Sequence, residues 1–131
     1  MSSKRKASVS LFDIVQNVGA IAGYTHGMDK ATFKSSRITI DAVERCIERV
    51  CEATVQLGTE AEALMPGHPW QRIRGLGNQL RHVYRSIDID LVWDTAQNQI
   101  PLLGQSAQAA LDRLNESQAA PEEPAATRKR P

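Results

Sequence analysis

The sequence predicts an all-α protein, an antiparallel helical bundle of four to five helices, and three observations carry that expectation. Apolar residues recur every three to four positions through several long stretches. Nothing alternates apolar and polar residues as a half-buried strand would, and Gly and Pro fall between the periodic stretches where helices must end.

At 131 residues the chain can bury one real core but is short for two domains of usual size. Its expected organisation is a basic N-terminal tail over 1–7, a helical domain over 8–116 and a disordered tail over 117–131. From Ser8 to Tyr24, Leu11, Ile14, Val15, Val18, Ile21 and Ala22 form one stripe, closing near Gly23 or Gly27. Asp29 is placed to cap a short helical turn through Phe33.

Thr39 to Leu57 is the clearest helix, with Ile40, Val43, Ile47, Val50 and Leu57 buried and the methyl of Thr54 among them. Its wet face allows Asp41–Arg45, Arg45–Glu48 and Arg49–Glu52 pairs, each worth about 0.2 to 0.5 kcal/mol. A loop with Gly58, Pro66, Gly67 and Pro69 follows, and Pro69 suits the first turn of a third long helix from Trp70 to Tyr84 or Arg85. Asp88 reads as the cap of a further helix holding Leu91, Val92 and Trp93, which Pro101 kinks or restarts before a last segment ending near Leu114. From Ser117 the composition turns to Ala, Pro, Glu and Arg without a stripe, which does not repay the entropy of ordering.

Net charge is only +1, so the overall balance favours no class of partner. Locally it differs: from Ala63 to Ile87 there is no Asp or Glu, while Arg72, Arg74, Arg81, Arg85, His68 and His82 all fall there, a pattern suited to a phosphate-bearing partner. No apolar run is long enough to span a bilayer and no signal-peptide core follows the charged start, so a cytoplasmic location and no membrane association are expected. Cys46 and Cys51, the only cysteines, lie about 140° apart on one helix and are expected as two reduced thiols.

On a wheel of the third long helix, Trp70, Ile73, Leu76, Gly77, Leu80, Val83 and Tyr84 fill an apolar arc. Arg74, Asn78, Arg81, His82 and Arg85 share the opposite face. A solvated basic face without chemistry is one reading. The other makes His82 a general acid or base, since an ordinary histidine titrates near neutrality, with Arg and Asn groups holding a phosphate. That set suits RNA cleavage through its own 2′-hydroxyl and needs no cofactor. His26, His68 and His82 show no ligand spacing, so no metal is expected. Gly75 and Gly77 weaken the helix and read as places where another helix approaches, one of this chain or of a second subunit.

Three stretches together give the chain a family resemblance over roughly Leu11 to Leu114: Asp41-Ala42-Val43-Glu44-Arg45 leading to Cys51-Glu52-Ala53, Pro69-Trp70 through Gly75-Leu76-Gly77-Asn78, and His82-Val83-Tyr84 followed by Ile87 to Trp93. It resembles the HepT-like toxins of the HEPN superfamily, small all-helical ribonucleases. The resemblance implies a homodimer with a metal-independent RNase site where two copies of the third long helix meet. It also implies an MntA-type nucleotidyltransferase antitoxin that adenylylates the motif tyrosine.

The family motif is Arg-x4-His-x-Tyr, in which His82 and Tyr84 match the last two positions and Asn78 matches the polar residue that commonly follows the arginine. Gly77 stands where the arginine belongs, and a glycine cannot hold a phosphate, so Arg81 or Arg74 is the candidate substitute cation. The resemblance thus assigns proton transfer to His82, orientation of the phosphate or histidine to Asn78, charge to Arg81 or Arg74, and RNA binding to Arg74, Arg81 and Arg85. Tyr84 falls about 160° from His82 on a straight helix, so it is either the modified residue or a packed one. Glu52 also matches a family position and reads most simply as a helix-face carboxylate. Two functions follow: an RNase toxin acting on RNA, with tRNA as the candidate substrate, or a binding module of the same fold that lost cleavage with its arginine and dimerises beside a nucleotidyltransferase. A helical adaptor without a nucleic-acid role leaves the acid-free stretch unexplained.

Overall fold

The computed structural model describes the backbone of residues 3–82 and 88–119 and the side chains of 4–76 and 88–117. Helix α1 runs Ser3–Thr25, α2 Lys30–Lys34, α3 Arg37–Leu57, α4 Glu60–Leu64, α5 Trp70–His82, α6 Ile89–Asp94 and α7 Ile100–Ala119, with a π turn over Thr95–Gln99 joining the last two. No strand occurs among the described residues, so the all-α expectation holds.

Helix α1 begins at Ser3, inside the stretch read as a tail, and α7 continues past Leu114 to Ala119. Residues 120–131, most of the expected disordered tail, lie outside the described residues. A hydrogen bond from Lys4 to the Ser117 hydroxyl, 3.1 Å, ties the start of α1 to the end of α7. The two helices are antiparallel, for near the start of α7 a Cβ at Gly104 would lie 2.6 Å from Val18 Cγ1, in the last third of α1.

The core follows the predicted stripes. Leu11, Ile14 and Ile21 of α1 and Ile40, Val43, Ile47, Val50 and Leu57 of α3 are buried, as is Thr54, whose hydroxyl donates to the Cys51 carbonyl at 2.7 Å. Ala22, expected in the stripe, is exposed. Both cysteines are buried and reduced, and Cys51 donates its thiol to the Ile73 carbonyl of α5.

On the wet face of α3 the Arg45–Glu48 pair forms at 3.0 Å, but Asp41 takes Arg37 at 3.2 Å instead of Arg45, and Arg49 and Glu52 do not pair. Arg37 was placed before the predicted helix start. Ser36 caps the true start, accepting from Thr39 N–H, and this brings Arg37 four residues before Asp41.

Asp29 caps α2 and Asp88 caps α6 as predicted, each accepting backbone N–H bonds through its carboxylate. The loop after α3 was read without a helix, yet it holds the single turn of α4. Gly58 ends α3 at φ 62°, a conformation that costs an L side chain steric strain.

Pro101 does restart the helix, and the device is the π turn. Proline has no N–H to donate and its ring crowds the preceding turn. The chain widens just before it, with Ile100 N–H donating to the Thr95 carbonyl five residues back.

Candidate functional site

Helix α5 carries the predicted site, and its position rests on few contacts. It packs chiefly on α3, burying Trp70 and Ile73. Pro69 accepts from Ile73 N–H in the first turn, and the Trp70 indole donates to the Met65 carbonyl at 3.2 Å. The backbone stays helical through Asn78, Arg81 and His82, whose side chains are not among those described. Tyr84 and Arg85 lie outside the described residues altogether.

Arg74 is the candidate cation whose surroundings are defined. Its guanidinium meets the Glu62 carboxylate of α4 through both oxygens, at 3.0 and 3.5 Å, and lies over the Trp70 ring with its carbon 5.9 Å from the centroid. The hydrogen bond from Arg74, with its charge, holds Glu62 below the usual carboxylate pKa. Glu62 sits one residue before the acid-free stretch, so sequence counting missed the group that neutralises its arginine. The signal was available only as a partner twelve positions away, on another helix.

His68 was likewise read only as one more basic residue. It is half-buried, with Nε2 2.8 Å from the Ser106 hydroxyl of α7 and Nδ1 3.3 Å from the Gln99 amide nitrogen of the π turn. With the amide nitrogen donating to Nδ1, the ring carries its proton on Nε2 and donates it to Ser106. Its ring meets Trp70 edge-on at 5.6 Å, and burial lowers its pKa. This histidine joins the start of α5 to α7 in neutral form. The partner Gln99 is the last residue of the π turn.

Gly75 was expected where another helix approaches. Among the described residues nothing lies within 4 Å of a Cβ built there, and the glycine is exposed. It borders a groove of about 510 Å³ lined by Pro69, Arg72, Ile73, Leu76, Leu91, Asp94, Thr95, Asn98 and Gln99. Leu91, which lines it, is 42% exposed.

On α3, Glu44 is half-buried and its pKa is raised, first by burial and then by Asp41 and Glu48. Glu52 lines a polar hollow between α1 and α3 with Ser10, Asp13, Asn17 and Arg49. No group of three or more His, Cys, Asp or Glu that could hold a metal ion occurs among the described residues. No helix there is long and apolar enough to cross a membrane.

Comparison with known proteins agrees with this architecture. The family model described as "HepT-like: Ribonuclease HepT-like" matches residues 14–110, from α1 through most of α7. The chain is 28% identical over 113 residues to "Putative RNase MJ0125" of Methanocaldococcus jannaschii, covering 86% of this chain and 97% of that protein. It is 30% identical over 98 residues to "Putative RNase MJ1216" of the same organism, covering 75% and 81%. It is 28% identical over 100 residues to "Probable ribonuclease HepT" of Thermococcus cleftensis, covering 76% and 91%. No solved structure matches. With a match from α1 to α7 and relatives aligned over most of their own length, this chain belongs to the ribonuclease HepT-like family.

Proposed function

We propose that this protein is a metal-independent ribonuclease, the toxin of a toxin–antitoxin pair, acting in the cytoplasm as a homodimer on RNA such as tRNA. The observation that carries the reading is family membership combined with a helical α5 that brings Asn78, Arg81 and His82 onto one face at helical spacing. His82 takes the 2′-hydroxyl proton, the 2′-oxygen attacks the adjacent phosphorus, and the 5′-oxygen leaves with a proton returned by an acid. Asn78 orients the phosphate or the imidazole. Arg81, beside His82, supplies the charge that Gly77 cannot, since Arg74 lies eight residues, about 12 Å, before the histidine on the helix.

The open side of α5 supports the dimer. Gly75 and Leu76 border an uncovered groove beside exposed Leu91, the kind of surface a second copy would fill. The antitoxin partner is an MntA-type nucleotidyltransferase that transfers AMP to Tyr84.

A second reading is favoured by one specific residue. Gly77 at the motif arginine suits a dimerising module that binds RNA or the nucleotidyltransferase without cutting. The deciding experiment is cleavage of a total tRNA pool in the presence of a chelator, by wild type and His82→Ala protein. Chelator-resistant cleavage that disappears in the variant establishes the ribonuclease. No cleavage by a folded, unmodified wild-type dimer leaves the binding module.

A further inference from the structure

Arg74 sits at the start of the same helical face as Asn78, Arg81 and His82, but eight residues before the histidine, about 12 Å along the axis. That is too far to hold the phosphate at which His82 would act. It is a suitable distance for a neighbouring phosphate of the same strand. The guanidinium is already shaped for one, because a carboxylate meeting an arginine through both oxygens occupies the geometry that two phosphate oxygens would take.

We propose that Arg74 is a second phosphate-binding position for RNA, set off from the reacting centre, and that Glu62 occupies it as a built-in phosphate mimic which the strand must displace. The inference rests on the ribonuclease reading and adds to it a competitor that no motif residue supplies.

Three features make the exchange feasible. The pair is superficial, with the Arg74 and Glu62 side chains 35% and 50% exposed, and ion pairs of that kind are weak enough for a substrate phosphate to replace. The Trp70 ring under the guanidinium keeps it in place when the carboxylate leaves. Trp70 is itself fixed by burial and by its bond to Met65. Finally, Arg72 also lines the hollow around the pair and has no ion-pair partner among the described residues, and among those residues Glu62 is the only carboxylate that lines it.

The consequence is a discrimination by length. An RNA reaching only the His82 end leaves the Glu62–Arg74 pair closed. A strand long enough to place a further phosphate at Arg74 gains a contact and opens it.

The test is fluorescence anisotropy with a labelled single-stranded 2′-O-methyl oligoribonucleotide, which 2′-hydroxyl chemistry cannot cleave, titrated across salt concentrations. Glu62→Gln is expected to tighten binding about two- to five-fold, the range set by a surface ion pair. Glu116→Gln, with the same charge change at the far end of α7, is expected to give no comparable gain. Arg74→Ala is expected to weaken binding and lower the slope of log affinity against log salt by about 0.7, one phosphate contact on a single strand. Adding Glu62→Gln to Arg74→Ala should then change nothing. Equal gains from Glu62→Gln and Glu116→Gln, or a Glu62→Gln gain that survives without Arg74, overturn the second position while leaving the ribonuclease reading intact. Absence of any RNA binding by wild type at low salt overturns both.

Discussion

The seam between α1 and α7 and the seat of α5 on α3 mix apolar packing and directional bonds in different proportions. Along α1 and α7 a single Lys4–Ser117 hydrogen bond accompanies apolar packing, and at position 104 the backbone lies so near that a Cβ would meet Val18 Cγ1 at 2.6 Å. At α5, two buried apolar residues are supplemented by directional bonds: Trp70 to Met65, Cys51 to Ile73, and His68 to Ser106 and Gln99. Apolar closure is strong but covers everything it holds. Directional bonds fix the position of a helix along one edge and leave its outer side open, which is what a helix carrying a binding or catalytic face requires.

The contrast can be broken most strongly at Gly104. Gly104→Ala places a methyl against Val18 and is expected to destabilise the fold by about 1–3 kcal/mol, the usual cost of overpacking, read as a shift of the urea midpoint. An unchanged midpoint would mean that α1 and α7 adjust freely and that the seam is no tighter than the seat.

Gly75→Ala sharpens the other half. In a monomer the added methyl meets nothing among the described residues, so the better helix former should raise stability by up to about 1 kcal/mol. In a dimer that packs a second α5 against this glycine, the same change should weaken self-association in sedimentation. The sign of the effect thus tells whether the open face is covered in solution.

The smallest expected effect belongs to His68. Burial lowers its folded pKa below the ordinary histidine value of 6.5, so its contribution to stability is fully present above 6.5 and declines as pH falls from 6.5 toward the folded pKa. Melting temperature should fall across that acid window in wild type, and His68→Gln should flatten this part of the profile. A profile identical in the two proteins would remove His68 as a neutral link between α5 and α7.

The comparison also explains what could be read in advance. The stripes of α1 and α3, the caps Ser36 aside, and the interruption at Pro101 were legible because each depends on residues within one or two turns. The cap at Ser36 was missed because the apolar stripe begins only at Ile40, and the helix starts a turn earlier. At the candidate site, Arg74 was legible as a basic group of α5. Its pairing with Glu62 was not, since a wheel records neighbours on one helix and Glu62 belongs to another.

By itself, the sequence determined the helical class, the buried faces of the long helices and the family, because apolar period, capping side chains and motif spacing are local properties of the chain. Only the tertiary structure decided that Arg74 is engaged, that His68 is held neutral between α5 and α7, and that the face beside Gly75 stands open. Those depend on which side chains from distant positions share a small space, and on the solvent they exclude there, and neither quantity is written in the period of a single helix.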